Sequence, residues 1–215
     1  MTLESCCKVL ILQHLSSISH YYMYSEIISS LTGILPVSEQ VCTQFLHKIR
    51  FVNVQRGKVL LSEGDVCDKL WFIKCGLVRG YHLIRNQDGS LEDITGWFAK
   101  ENDFFHAADS FVNQVPAREC IEVLEPSMLF YIPRQDLYQL YREHPEICCL
   151  GRIIAERTSL VQSELLREMR VLSAPQKFEA FRSRSKELIA RVPQKYIASY
   201  LGISENYVSK LKAKY

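Results

Sequence analysis

The polar residues with the most suggestive spacing lie near the end of the 215-residue chain, where residues 194–213 read QKYIASYLGISENYVSKLKA. On a helix over its second half, Val208 and Leu211, three apart, turn inward. Glu205, Asn206, Ser209, Lys210 and Lys212 remain outside. Amide, hydroxyl and ammonium groups on one helix face touch phosphates and base edges in duplex DNA. Asn206 suits adenine, and Lys210 suits guanine or a phosphate. Gln194, Lys195, Ser204 and Lys214 complete the expected DNA-contact set.

Other chemistry finds less support. The six histidines (14, 20, 47, 82, 106, 144) are scattered, and no two stand one residue apart as a cupin-type metal cluster needs. The eight cysteines (6, 7, 42, 67, 75, 120, 148, 149) form no C-x-x-C pair, so reduced structural thiols are expected and no metal site. No Ser-His-Asp or Cys-His order has supporting context. The expectation is therefore not an enzyme.

The elements that position the polar face are legible around it. Ile197, Ala198 and Leu201 share one side of a preceding helix, with Ala198 small where two helices cross. Gly202 suits a left-handed turn, Ile203 plugs the gap, and Ser204 can cap the second helix. This is a helix-turn-helix; the plainer alternative is a helical hairpin with a solvated face. Residues 171–215 carry nine Lys/Arg against three acids, net +6, whereas the remainder is −4. A basic unit on a mildly acidic body suggests an anionic polymer as partner.

Upstream, residues 3–31 look helical, and Gly33 and Pro36 end that stretch. Ser38 starts an amphipathic helix through Val41, Phe45, Leu46 and Ile49. From Arg50 short runs rich in β-branched and aromatic residues follow: Val59–Leu61, Leu70–Ile73, Leu77–Ile84, Leu91–Phe98, Cys120–Leu124 and Met128–Ile132. Turn signals such as Asp88-Gly89 separate them, as in a sandwich or jelly roll. Gln135 to Arg142 makes a short helix. A long one starts near Pro145, with Ile147, Leu150, Ile154, Val161, Leu165 and Leu172 at three-, four- and seven-residue spacings. That seam predicts pairing with a second copy; the alternative is packing on its own domain. Pro175 breaks this helix, Phe178, Phe181, Leu188 and Ile189 mark another, and Pro193 opens the last segment.

No apolar run is long enough to span a membrane, and no signal-peptide pattern opens the chain, so a cytoplasmic protein without a membrane partner is expected. The expected class is α+β. Residues 1–36 form a helical extension, 37–142 an N-terminal β jelly roll, 143–173 a dimerisation helix and 174–215 a helix-turn-helix domain.

This order resembles the Crp/Fnr superfamily of bacterial transcription regulators over residues 37–215. In the roll the resemblance rests on Gly57-Lys58-Val59-Leu60, Glu63-Gly64-Asp65, Leu70 to Val78 and Asn102-Asp103-Phe104-Phe105. The text from Val192 to Ser204 looks most like the divergent Crp-like regulators common in Bacteroidetes. The resemblance implies a cyclic-nucleotide-binding-like sensor domain, a homodimer and two recognition helices in successive major grooves, about 34 Å apart. Duplex DNA and RNA polymerase are the implied partners.

Three departures qualify it. Members that bind cyclic AMP carry Gly-Glu after the Gly-Asp-Phe run, for the ribose, and an Arg-Ser/Thr-Ala further on, for the phosphate. Here the implied pocket is Phe105, His106, Ala107, Arg118 and Glu119. Ala107 offers no side-chain acceptor, and Glu119 puts a negative charge beside Arg118. Cyclic AMP is therefore not the expected effector, and no cofactor is expected. Arg118 can equally pair with a carboxylate, and His106 can be a partly buried structural residue. The reading head also differs, with Glu205, Asn206 and Lys210 where the family places Arg-Glu and Arg. The chain stops at Tyr215 without a full wing, which would shift phosphate contacts onto Lys210, Lys212 and Lys214. Residues 1–22 read as an upstream extension of little functional weight. A small-molecule sensor whose C-terminal unit binds protein is the alternative function.

Overall fold

Two neighbouring strands, β3 (Lys69–Cys75) and β8 (Ser127–Pro133), are almost continuously apolar because both faces of their sheet are covered. The computed structural model describes residues 18–214, and the expectations for residues 1–17 and Tyr215 lie outside it. Eight antiparallel strands form two four-stranded sheets, ordered β1-β8-β3-β6 and β2-β7-β4-β5. The remaining strands are β1 (Arg50–Val54), β2 (Val59–Leu61), β4 (Val78–Arg85), β5 (Leu91–Ala99), β6 (Phe104–Phe105) and β7 (Cys120–Val123). Trp71 pairs with Tyr131 and Ile73 with Leu129 in register. Phe72 and Phe130 alternate to the other face, where Tyr24 stacks on Phe130 at 5.1 Å. The Asp88-Gly89 turn joins β4 to β5, with Gly89 at φ +83°.

Tyr24 belongs to α1 (Ile18–Thr32), whose Ile27 and Leu31 are buried in the roll's own core. Within residues 1–36 the described helix α1 thus packs into the core of the roll. The helix α2 (Glu39–Lys48) follows. Ser38 stands at its N-cap but makes no side-chain cap; its backbone N–H donates to Glu146 Oε2 at 3.1 Å. Between β6 and β7 lies a short helix, α3 (Ala108–Asn113), which the turn signals did not reveal. Strands β1 and β6 were equally silent: β1 carries Arg and Asn, and β6 has two residues.

After the roll, α4 (Arg134–Glu143) turns back into α5 (Pro145–Val171). Gly151 lets the two helices close, since a Cβ there would lie 2.5 Å from the Tyr141 hydroxyl. The single helix expected after Pro175 is two, α6 (Ala174–Arg184) and α7 (Lys186–Arg191). The break lies at Ser185. The chain has already left α5 before Pro175, which sits in the first turn of α6 behind a Ser173–Gln176 capping box. Last come α8 (Gln194–Leu201) and α9 (Glu205–Lys214). Phe178, Phe181, Leu188, Val192, Ile197, Leu201, Val208 and Leu211 form their common core, which Leu77 and Leu124 of the roll join.

Candidate nucleic-acid interface and sensor pocket

Ile197, Ala198 and Leu201 bury one side of α8, and Val208 and Leu211 bury the facing side of α9. Gly202 ends α8 at φ +66°, a left-handed conformation that costs a β-carbon-bearing residue about 1–2 kcal/mol. Its N–H reaches Ser199 O, and Ile203 N–H bonds Ala198 O, which turns the chain sharply. Ser204 Oγ accepts from Tyr207 N–H at 3.3 Å, the cap its position suggested. Glu205, Asn206, Ser209 and Lys210 are then exposed together on α9, and Lys195 is exposed at the start of α8. Gln194 ties the two helices, its Nε2 donating to Glu205 O at 2.7 Å.

Not every base in this unit is available to a partner. Lys212 is half-buried and donates to Ile189 O at 2.9 Å, a carbonyl at the end of α7; burial lowers its pKa. This bond ties α9 to the end of α7. Arg182 pairs with Glu179, and Arg184 with Glu168 of α5. Arg191 reaches Glu101 at 2.8 Å and Glu125 at 2.5 Å, both on the roll. The formal +6 of residues 171–215 therefore overstates what a polyanion would meet, because several arginines are internal cement.

The pocket residues do not gather around one cavity. Arg118 is exposed and lines an open cleft with Glu63, Gly64, Asp109 and Asn113. Its guanidinium has no ion pair among the described residues, so the carboxylate partner considered for it does not occur there. Phe105, His106, Ala107 and Glu119 do not line that cleft. Phe105 is buried between two indoles, with ring centroids 6.1 Å from Trp71 and 5.9 Å from Trp97. Trp97 Nε1 donates to Glu119 Oε2 at 2.8 Å. Burial raises the Glu119 pKa, and the indole bond offsets this only in part. Ala107 is buried, and His106 packs on Phe111 at 4.7 Å with its pKa lowered by burial. Trp97 was not foreseen. Its signal is Gly80 across the ladder, where a Cβ would lie 2.1 Å from the indole.

The seam also needs correction. Ile147 and Leu150 are buried against Ile28, Leu31, Val41 and Phe45, and Ile154 packs on the same core. The stripe continues along α5, but its first half covers the chain's own roll. Val161 stays 57% exposed and Leu165 half-exposed, with Leu160 71% exposed nearby and Val171 bare further on.

Residues 51–144 match the cyclic nucleotide-binding domain family. Among solved structures the chain is similar to FixK2 of Bradyrhizobium japonicum, with a TM-score of 0.64 and 16% identity, covering 77% of this chain and 83% of that one. It is also similar to CLP of Xanthomonas campestris, a c-di-GMP-responsive global regulator: TM-score 0.60, 13% identity, 82% of this chain and 91% of that one. A Eubacterium rectale protein classed with the Crp/Fnr transcriptional regulators gives 0.61 and 16%, covering 83% of each. Among curated proteins none matches significantly. The β roll followed by C-terminal helices is therefore a fold shared with these structures, and the expected α+β class holds. No described helix is long and apolar enough to cross a membrane, and no described cluster of His, Cys, Asp and Glu could hold a metal.

Proposed function

We propose that this protein is a sequence-specific DNA-binding transcription regulator of the Crp/Fnr type, and not an enzyme. The observation that carries the reading is the exposed polar face of α9, with Asn206, Ser209 and Lys210 held outward by the Gly202 turn and the buried Val208 and Leu211. Such a helix fits the major groove, with Lys195, Lys210 and Lys214 near the backbone phosphates. It acts as a homodimer through the exposed part of α5, where Leu160, Val161 and Leu165 offer an unpaired apolar stripe. RNA polymerase is its downstream partner. Cyclic AMP is not its effector: the ribose position holds Ala107, and an acid, Glu119, adjoins Arg118.

Selection of genomic DNA fragments by the purified protein at two salt concentrations tests this. The expected result is a near-palindrome with half-site centres about one helical turn, roughly 34 Å, apart, and binding that weakens steeply with salt. Sequence-blind binding, or none, would remove the DNA-reading role and favour a protein partner for the C-terminal unit.

A further inference from the structure

The edge strand of the second sheet, β5, is not left bare. Its outer backbone groups face α8, the first helix of the helix-turn-helix, and not another strand. Ser199 Oγ accepts from Thr95 N–H at 2.9 Å and lies 3.3 Å from Asp93 O, to which it donates. One hydroxyl thus satisfies two successive edge groups that would otherwise stand open. One turn earlier on α8, the Tyr196 ring lies 3.6 Å from the Arg79 guanidinium carbon. Arg79 is only 2% exposed and is held by Asp93 at 2.7 Å, Glu122 at 2.8 Å and Thr95 Oγ1 at 3.2 Å. One residue beyond Ser199, Tyr200 packs on Phe98 of β5 and on Phe181 of α6. At the far end Arg191 bonds Glu101, Glu125 and Gly76 O, and Lys100 pairs with Glu187.

Tyr196, Ser199 and Tyr200 occupy one face of α8, while Ile197, Ala198 and Leu201 occupy the face turned to α9. Docking therefore leaves the exposed polar face of α9 uncovered, while Leu77, Leu124 and Phe98 of the roll add apolar contact with the core of the C-terminal helices. A cation–π stack over a buried, fully paired guanidinium, a two-point hydroxyl bridge and a multidentate arginine act together against rotation of the head. A greasy contact alone would permit sliding; directional bonds do not.

We propose that the outer edge of β5, with Arg79, Tyr196, Ser199 and Arg191, is the seat that positions the reading head. This seat sets the spacing between half-sites that the dimer accepts, without reading bases itself. The inference rests on the DNA-binding reading above. A rigid seat presents the second head at one place, so a wrongly spaced half-site receives little benefit from the first. A loosened seat spreads the second head over a wider volume, which weakens the correct site and strengthens wrong ones.

The test uses the full-length protein and duplexes that pair two copies of the selected half-site at spacings varied one base pair at a time. Arg191→Gln, Ser199→Ala and the double variant are compared with wild type. Wild type is expected to prefer one spacing by about tenfold over its neighbours, and the double variant by threefold or less. The selected half-site sequence should be the same for both. Unchanged spacing preference in the double variant would overturn the inference and leave the DNA-binding reading intact. Uniformly higher affinity at every spacing would also overturn it, since the seat would then hold the head away from DNA. If wild type selects no half-site, the DNA-binding reading falls first and takes the seat with it.

A second readout needs no DNA. Amide hydrogen exchange at Thr95 should quicken in Arg191→Gln, although residue 191 makes no bond to Thr95. Protection equal to wild type would mean that the contacts act locally and that no cooperative seat exists.

Discussion

The interior of the roll and the outer face of α9 are opposite answers to polar chemistry. In the roll, Phe105 packs against Trp71 and Trp97, and the Glu119 carboxylate accepts a hydrogen bond from Trp97. On α9, Asn206, Ser209 and Lys210 are exposed, and the apolar residues all turn inward. A site whose groups are already satisfied is a poor receptor, whereas a rigid helix with unengaged donors is a ready one. Strand β5 joins the two regions: Trp97 and Phe98 are adjacent, one in contact with Phe105 of the roll and the other with Phe181 and Tyr200 of the C-terminal helices.

The largest expected effect breaks the premise that two heads act together. Leu160→Asp with Val161→Asp should convert the dimer to monomer in sedimentation analysis. Affinity for a full operator should fall by about 100-fold or more, because avidity is lost. A dimer that survives would place the pairing surface elsewhere.

Next, Lys210→Glu should weaken duplex binding by about tenfold and lower the salt slope by about 1–2, with stability unchanged. An unaltered slope would mean that this face does not meet phosphate. Lys212→Ala should act differently, lowering thermal stability through the lost bond to Ile189 O. Gly202→Ala should cost about 1 kcal/mol in chemical unfolding, since the turn needs positive φ.

A smaller effect sharpens the role of the seat. Burial opposes ionisation of Glu101, but the Arg191 guanidinium and the Gly76 amide outweigh it and hold its pKa down to about 2, against an ordinary 4.5. The folded pKa is lower, so this contribution is full above pH 4.5 and is lost as pH falls toward 2. Melting temperatures between pH 5 and pH 2.5 should fall less steeply in Arg191→Gln than in wild type. Smallest of all, cyclic AMP should leave the melting temperature unmoved. A ligand at a hundred times its Kd would stabilise by about 2.7 kcal/mol, so binding would be easy to see.

The legible features share a physical basis: they depend on neighbours a few residues away. The Gly202 turn, the Ser204 cap and the Val208/Leu211 pair are local constraints, so residues 194–213 could be read directly. Most strands were legible for the same reason, because their alternation and their turn residues lie close in sequence. β6 escaped because two residues carry no period, and its pairing with β3 exists only in the folded sheet. The α5 stripe shows the limit of periodicity. Its spacing correctly marks one apolar face but cannot say what covers it, and the roll covers Ile147 and Leu150 while Val161 stays bare.

The sequence by itself determined most of the strands, the long helix, and the turn and outward polar residues of α9, since these follow from local propensity and spacing. Tertiary structure alone decided which charges are spent internally, where Trp97 sits, and that α8 closes the edge of β5. Arg191 and Glu101 are far apart along the chain, as are Ser199 and Thr95. Such pairings depend on how surfaces meet after collapse, and no local pattern encodes them.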